Sequence, residues 1–443
     1  MLGEYRIEGR RASEIAASVE RAVGAGELQP GEVLPPLREL AVYLEVNPNT
    51  VASAYRTLRD RGVIETAGRR GSRVRPRPAS TSREALRVEA PPGVREVSDG
   101  NPDPALLPSL EGALAEAAAR SARRPTLYGA PAVDDDLEAL ARAAFVRDGV
   151  PEAPIAVTSG SLDAIERVLA VHLRPGDTVA VEDPGWGSLL DLIPALGLRP
   201  APVAVDDEGP VPERLARVLQ EGARAVVITD RAQNPTGAVV GRARATELRG
   251  LLADHPDVLL VEDDHGHGIV DVPLHPLSGV TDHWVLVRST AKAYGPDLRL
   301  AVLTGDAVTL DRVRGRQRLG PGWVSHLLQD TVAHLWRTSA IDPKRVAGAY
   351  DRRRDALIRC LAERGVRSRG RSGMNVWVPV PDETGAVARL LHSGWAVAPG
   401  ARFRMQSPPG IRITVSGLTD DDIGPVADAV AAATGVGEAR RYE

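Results

Sequence analysis

Lysine is nearly absent from this 443-residue chain, in which Lys292 and Lys344 are two of 55 basic side chains. The others are arginine, which keeps its charge and is essentially non-nucleophilic, whereas a buried lysine amine can lose its proton and attack a carbonyl carbon. Lys292 follows the apolar run Trp284 to Val287, which predicts a buried strand. A hydroxyl lies three residues before Lys292 and an arginine seven after it, so the segment can bind an aldehyde cofactor that bears a phosphate. Lys344 is interpreted as a surface lysine.

Cysteine and long apolar runs are also scarce. Cys360 is the single cysteine, so an intramolecular disulfide is excluded, and a thiolate metal site cannot be built from it alone. No run approaches the ~18 apolar residues of a membrane span. The segment Met1 to Arg6 lacks the basic and then apolar pattern of a targeting signal. Together with 43% apolar content, these features predict a globular, cytoplasmic protein of two or three domains.

Charge is distributed unevenly along the chain. The formal net charge is −4, yet residues 50 to 78 carry eight arginines against Asp60 and Glu65. A basic segment in an otherwise acidic protein is typical of a nucleic-acid contact.

Three helical segments and two short strands open the chain. The first helix has apolar residues at every fourth position and is followed by Gly26, a stop signal. The second and third helices flank a tight turn at Asn47-Pro48, which indicates a helix-turn-helix. The strands enclose a basic, glycine-containing tip, which indicates a wing. The predicted elements are the helices Ala12 to Ala25, Leu37 to Leu44 and Pro48 to Arg61, and the strands Val63 to Thr66 and Ser72 to Val74.

A stretch rich in proline, serine and charge follows and predicts an interdomain linker over residues 79–97. Beyond it, strand-like apolar runs alternate with helical ones, which predicts a mostly parallel sheet covered by helices on both faces. The predicted domains are therefore 1–78 and 98–443, the latter ending in a smaller α+β lobe at about 346–435. The predicted strands are Ile155 to Thr158, Thr178 to Glu182, Ala225 to Thr229, Val258 to Glu262, Trp284 to Val287 and Leu300 to Thr304.

The first 75 residues resemble the winged-helix domain of the GntR family of bacterial regulators. The resemblance rests on Leu34-Pro35-Pro36-Leu37-Arg38-Glu39-Leu40, Asn49-Thr50-Val51 and Gly71-Ser72-Arg73-Val74, although family members usually have serine where Pro36 stands. It implies that the third helix enters the major groove of DNA and that other residues hold phosphates. The base-contacting candidates are Asn49, Thr50, Ser53 and Arg56, and the phosphate-contacting candidates are Arg38, Arg69, Arg70 and Ser72.

Residues 98 to 443 resemble the fold-type I aminotransferases, which bind pyridoxal 5′-phosphate. The resemblance rests on Asn234-Pro235-Thr236-Gly237, Glu262-Asp263-Asp264 and Lys292, each at the end of a predicted strand. It implies that Lys292 forms an internal aldimine with the cofactor and that Asp263 pairs with the pyridine nitrogen. Asn234 would donate a hydrogen bond to the phenolic oxygen of the ring.

The same resemblance implies further contacts. Ser289, Arg299 and the helix start Gly160-Ser161-Leu162 would hold the phosphate. Trp186 would stack on the ring, and Tyr128 would reach the neighbouring subunit's phosphate. Arg412 matches the family arginine that binds the substrate carboxylate, so it would bind a carboxylate of the effector through two hydrogen bonds.

The chain departs from the family at two positions. His265 stands where a tyrosine usually shares the phenolic oxygen with Asn234, so the electronics of the ring are expected to change. Ala291 replaces the usual serine before the lysine. The run Asp263-Asp264-His265-Gly266-His267 invites a metal interpretation, but the cofactor site explains these residues better and no metal is predicted.

A GntR-like winged helix followed by an aminotransferase-like domain resembles the MocR subfamily of transcriptional regulators. This resemblance implies a homodimer that binds double-stranded DNA and senses a small amine or amino acid through its reaction at Lys292. Physiological turnover is not expected. Two alternatives stay open: an active aminotransferase, and a sensor of pyridoxal 5′-phosphate itself.

Overall fold

The computed structural model describes residues 6–25, 27–29, 31–60, 63–66, 71–74 and 83–435. The chain divides into two compact units. The first comprises residues 1–82 with the short segments 173–178 and 192–199, and the second comprises all remaining residues. The predicted winged helix lies in the first unit, and most of the predicted aminotransferase-like domain lies in the second.

The described residues between 6 and 74 form three helices and a two-stranded hairpin. The apolar faces of the helices are buried together with Tyr55, whose hydroxyl donates to the Pro35 carbonyl at 2.9 Å. The Asn47 side chain accepts from the Asn49 amide at 2.8 Å and so satisfies a free amide at the start of the third helix. The elements are α1 Ala12–Ala25, α2 Leu37–Tyr43, α3 Pro48–Asp60 and the antiparallel strands β1 Ile64–Thr66 and β2 Ser72–Val74.

The described strands from Arg95 onward form a large sheet, a small sheet and a short parallel pair. The large sheet has eight strands in the order β4-β11-β10-β9-β8-β5-β6-β7, and the small sheet has the order β12-β15-β14. The strands are β3 Arg95–Glu96, β4 Ile155–Thr158, β5 Thr178–Asp183, β6 Arg199–Asp206, β7 Gly209–Pro210, β8 Ala225–Thr229, β9 Leu259–Asp264, β10 His283–Ser289, β11 Ala301–Gly305, β12 Asn375–Pro379, β13 Trp395–Ala396, β14 Ala398–Pro399 and β15 Gly410–Thr414.

The centre of the large sheet is parallel, as the sequence predicts. Strands β5, β8, β9 and β10 pair in parallel, whereas β11 runs antiparallel to both β10 and β4. Nearly all side chains of these strands are buried on both faces of the sheet, which is why most of their residues are apolar. The helices from Glu111 onward are α4 Glu111–Arg123, α5 Asp135–Arg147, α6 Ser161–His172, α7 Gly187–Ala195, α8 Pro212–Gln220, α9 Arg242–Ala253, α10 Ala291–Tyr294, α11 Ala307–Arg318, α12 His326–Arg337, α13 Pro343–Glu363, α14 Glu383–His392 and α15 Asp420–Thr434.

The carboxyl-terminal part of the chain forms the smaller α+β lobe. Helices α13 and α14 pack against α15, and α14 also contacts strands of the small sheet. Within the described residues, no helix is long and apolar enough to cross a membrane.

The segment 83–97, which the sequence assigns to a linker, belongs to the second unit. Strand β3 pairs in parallel with β13, and Val97 is buried in the core. The composition of this segment predicts a linker because it has no sustained apolar period. A two-residue strand and one buried valine are too short a pattern to be found by periodicity.

Candidate functional site

The residues expected to bind a cofactor follow strands of the large sheet at one edge. Asn234 follows β8, Asp263 lies at the end of β9, Lys292 lies in α10 directly after β10, and Ser161 opens α6 after β4. Strand β4 has the direction of β10 because both are antiparallel to β11. Carboxyl ends of parallel strands meet at the same edge, where open α/β sheets bind their ligands.

Lys292 is held at this edge with a weakened affinity for its proton. Its Nζ donates to the carbonyl of Gly100 at 2.7 Å. Burial and then the charge of Arg412 lower the pKa of Lys292 to about 8, against an opposing contribution from Asp99. At a pKa of about 8, an appreciable fraction of the amine is uncharged near neutral pH, which is the form that attacks a carbonyl carbon.

The Asp263 carboxylate has one oxygen available for a ligand. Its Oδ1 is buried and has no hydrogen-bond partner, whereas Oδ2 faces His265 Nδ1 at 3.1 Å. Buried polar atoms are nearly always hydrogen-bonded, so such an atom indicates a missing partner. A protonated ring nitrogen would supply that partner. This observation fits the expected pairing with a pyridine nitrogen.

The expected phosphate contacts surround a glycine at which a side chain would be strained. Gly160 has a φ of +98°, and a Cβ on it would lie 3.1 Å from the Arg299 guanidinium. The neighbouring Ser161 Oγ is buried without a hydrogen-bond partner, so it is free for an anion. Arg299 donates to the Ser159 carbonyl at 3.2 Å, and Ser289 Oγ accepts from the Ala291 amide at 3.2 Å. The residues present therefore fit a phosphate group.

His265 forms hydrogen bonds with two oxygens of the protein. Its Nε2 lies 2.8 Å from the Ala232 carbonyl and its Nδ1 faces Asp263. A carbonyl oxygen can only accept, so Nε2 carries a proton. Burial by itself would lower the pKa of His265, but the charge and hydrogen bond of Asp263 raise it above its ordinary value. Both ring nitrogens of His265 therefore have partners in the protein, and no local sequence pattern predicts the contact with Ala232, 33 residues away.

Arg412 and Asn234 contact each other directly. Arg412 Nη1 donates to Asn234 Oδ1 at 2.9 Å, and Nη2 donates to the Ser98 carbonyl. The guanidinium carbon lies 4.7 Å from the centroid of the Phe403 ring. Burial and then the charge of Arg402 lower the pKa of Arg412 to about 9. The side chain expected to clamp a carboxylate thus lies beside Asn234, and its hydrogen bonds go to neutral oxygens.

Trp186, expected to stack on the ring, and Tyr128, expected to reach the neighbouring subunit's phosphate, have different surroundings. Trp186 is half-buried and leads into α7. It follows Asp183, whose carboxylate accepts three backbone amides, those of Met405, Gln406 and Ser407. Tyr128 is 94% exposed and packs edge to face on Trp323 with ring centroids 5.7 Å apart. In a single chain Tyr128 is therefore open to solvent.

A buried ionic cluster behind the site was not foreseen from the sequence. Asp264 is fully buried and bonds Arg231 through three hydrogen bonds of 2.7 to 2.9 Å, and Arg288 through one of 2.9 Å. Arg288 also pairs with Asp148 at 2.6 Å. One sequence feature could have indicated this cluster. Side chains alternate along a strand, so the adjacent Asp263 and Asp264 lie on opposite faces of the sheet and cannot both face a cofactor. Among the described residues, no cluster is arranged to hold a metal ion.

Most expected DNA contacts lie at the surface of the first unit. Four of the candidates are exposed: Arg38 on α2, and Asn49, Ser53 and Arg56 on α3. The half-exposed candidates are Thr50 and Ser72, and Arg69 and Arg70 lie outside the described residues.

Comparisons with known proteins match both units. Residues 11–74 match the bacterial regulatory proteins of the gntR family, and residues 97–430 match aminotransferase class I and II. The chain is 41% identical over 428 residues to the vitamin B6 salvage pathway transcriptional repressor PtsJ of Salmonella typhimurium, covering 95% of this chain and 98% of that protein. It is 28% identical to the pyridoxine biosynthesis transcriptional regulator PdxR of Corynebacterium glutamicum, covering 68% of each chain.

Solved structures show the same fold for the larger unit. The chain is 25% identical to an aspartate aminotransferase from Thermus thermophilus with maleate, with a TM-score of 0.68 and coverage of 77% of this chain and 91% of that one. These similarities confirm the predicted fold, family and cofactor. The chain belongs to the GntR family as a MocR-type transcriptional regulator, in which a winged helix precedes an aminotransferase class I and II domain whose cofactor is pyridoxal 5′-phosphate.

Proposed function

We propose that this protein regulates genes of vitamin B6 metabolism and that pyridoxal 5′-phosphate is itself the signal that changes DNA binding. The observation that carries this proposal is the buried, unpartnered Oδ1 of Asp263, which fits a protonated pyridine nitrogen. The two regulators reported above are both named for vitamin B6 pathways. Among the alternatives that the sequence leaves open, these names favour the sensor of the cofactor itself.

The roles proposed for the site residues follow from their contacts. When bound, pyridoxal 5′-phosphate supplies an aldehyde that reacts reversibly with primary amines. Lys292 would hold the cofactor covalently, and its lowered pKa favours the uncharged amine. Asp263 would hold the ring nitrogen, and His265 would fix the Asp263 carboxylate through its Oδ2. Ser161, Ser289, Arg299 and the backbone of Gly160 and Leu162 would hold the phosphate, and Trp186 would cover the ring.

A second candidate function is favoured by one observation on Arg412. Its guanidinium is buried and its hydrogen bonds reach only neutral oxygens of Asn234 and Ser98. A buried charge without a direct counter-ion can attract a carboxylate. A small amine or amino acid that reacts at Lys292 and places its carboxylate on Arg412 would then be the effector. The same residues would also serve transamination, so turnover is measured in the test below.

The proposed assembly is a homodimer whose two winged helices read spaced half-sites on double-stranded DNA. The exposed Tyr128 is consistent with this proposal, because a side chain that serves the partner's cofactor must lie at the subunit surface.

The test measures duplex binding by the full-length protein without cofactor, with pyridoxal 5′-phosphate, and with cofactor plus a panel of amino acids. If the cofactor is the signal, the cofactor-free and cofactor-bound forms differ in duplex affinity with no amine added. A difference that requires an amine supports the second candidate and contradicts the first. Multiple turnovers with an amino acid and a keto acid, together with no duplex binding, would contradict both.

Arg38→Ala is expected to weaken binding to every duplex by about tenfold. The slope of log affinity against log salt concentration should become shallower by about one, which corresponds to one lost phosphate contact. The reason is that a phosphate contact holds the duplex without reading its sequence. Fluorescence anisotropy at two salt concentrations measures the effect, and Arg21→Ala is the matched control because Arg21 is an exposed arginine on α1. An unchanged affinity of Arg38→Ala, or an equal loss in the control, contradicts the proposed role.

A further inference from the structure

Two buried arginines lie side by side at the Arg412 end of the site. Arg402 and Arg412 are both almost fully buried, and their guanidinium carbons lie 5.5 and 4.7 Å from the centroid of the Phe403 ring. Both donate to the carbonyl of Ser98, Arg402 at 3.5 Å. The hydroxyl of Ser98 is buried and has no hydrogen-bond partner. Two positive charges thus converge on one acceptor, next to a free polar group.

The negative charge is divided unequally between these arginines. Arg402 Nη2 bonds the Glu84 carboxylate at 2.5 Å, whereas Arg412 bonds only neutral oxygens. Burial and the charge of Arg402 lower the pKa of Arg412, while Asp99 and Glu84 act in the opposite direction. Glu84 therefore offsets part of the positive potential at both guanidinium groups.

Glu84 lies in a turn that follows the winged helix in the chain. Residues 83–86 form a single 3-10 turn, in which the Arg87 amide donates to the Glu84 carbonyl at 2.9 Å. Arg83 Nη1 donates to the carbonyls of Ala401 and Arg404, both at 2.9 Å. The turn is therefore attached to the segment 400–404, which carries Arg402.

We propose that a small-molecule carboxylate bound at Arg412 is coupled to the turn 83–86 through Arg402 and Glu84. The proposal rests on the second candidate function above only in taking Arg412 as the contact for a ligand carboxylate. A carboxylate on Arg412 and the carboxylate of Glu84 act on the same pair of guanidinium groups. An anion on Arg412 therefore weakens the attraction between the arginines and Glu84, and Glu84 weakens the binding of the anion. Because the coupling free energy is reciprocal, the anion destabilises the turn by the same free energy by which loosening the turn favours anion binding.

The experiment uses the full-length protein loaded with pyridoxal 5′-phosphate and succinate as a carboxylate that has no amine. Glu84→Gln is expected to bind succinate about fivefold more tightly than the unmodified protein, as measured by calorimetry. Succinate is expected to speed hydrogen exchange at the Arg87 amide in the unmodified protein. In Glu84→Gln this amide should exchange rapidly with or without succinate.

Two further variants make the result specific. Glu84 and Glu89 are both exposed, so Glu89→Gln removes the same charge from a similar position five residues away and should leave succinate affinity unchanged. Arg412→Ala should abolish succinate binding. The proposal is overturned if succinate does not bind the unmodified protein, if Arg412→Ala binds it equally well, or if Glu84→Gln and Glu89→Gln give the same affinity. Duplex binding that depends on cofactor alone is measured without succinate, so the proposed function and this coupling can fail independently.

Discussion

Lys292→Ala is expected to raise the pyridoxal 5′-phosphate concentration needed for the half-maximal change in duplex affinity by at least about a hundredfold, or ~2.7 kcal/mol. The substitution removes the amine that holds the cofactor covalently. The contacts proposed for Ser161, Arg299 and Asp263 stay in place, so weak binding should persist. Duplex titrations at increasing cofactor concentration give the shift, and an absorbance spectrum shows whether the cofactor is still covalently held.

Lys344→Ala is the matched control, because Lys344 is exposed and is the only other lysine in the chain. Treatment with borohydride should fix the cofactor to the unmodified protein and to Lys344→Ala, but not to Lys292→Ala. If Lys292→Ala retains a borohydride adduct, or responds to the cofactor at the same concentration as the control, then Lys292 is not the attachment residue and the proposed function loses its chemical basis.

Much of the architecture could be predicted because its signals are local. The first helix, Ala12–Ala25, was predicted with its observed bounds, since apolar residues at every fourth position and a following glycine define both ends. The central strands were predicted within about two residues because a strand buried on both faces is a continuous apolar run. Strand β6 was not predicted, because its exposure is irregular and its sequence contains proline.

The sequence predicted which residues lie at the strand ends, but it did not predict which of the site residues contact one another. Motif spacing places Asn234, Asp263 and Lys292 at strand ends, and the structure has them there. The contact of Asn234 with Arg412 joins residues 178 positions apart, which no local pattern reports. The same is true of Arg402 and Glu84, which lie 318 positions apart. Their individual roles in cofactor and DNA binding stay predictions.

The adjacent residues Asp263 and Asp264 have different roles: we propose that Asp263 binds the cofactor, whereas Asp264 stabilises the fold. Both carboxylates are buried at the end of β9. Asp263 keeps an unpartnered oxygen, whereas both oxygens of Asp264 are bonded by Arg231 and Arg288. A carboxylate whose two oxygens are already bonded by protein side chains can stabilise the fold, but it has no oxygen left to bind a cofactor.

Asp264→Ala is accordingly expected to destabilise the second unit by about 3 to 5 kcal/mol, because it leaves Arg231 and Arg288 buried without their shared counter-ion. Burial alone would raise the pKa of Asp264, but the two arginines lower it below its ordinary value. Since the folded pKa is the lower one, the stabilisation is present above the unfolded value of about 3.9 and is lost as the pH falls through the folded value. Urea denaturation at pH 7 and at lower pH measures both effects.

Asp428→Ala is the control, because Asp428 pairs with Arg364 at the surface and its side chain is 69% exposed. Its loss should cost no more than about 1 kcal/mol. Asp264→Asn keeps the shape of the side chain and removes only its charge, so it separates the ionic contribution from packing. If Asp264→Ala and Asp428→Ala unfold at the same urea concentration, the buried cluster does not stabilise this edge of the sheet.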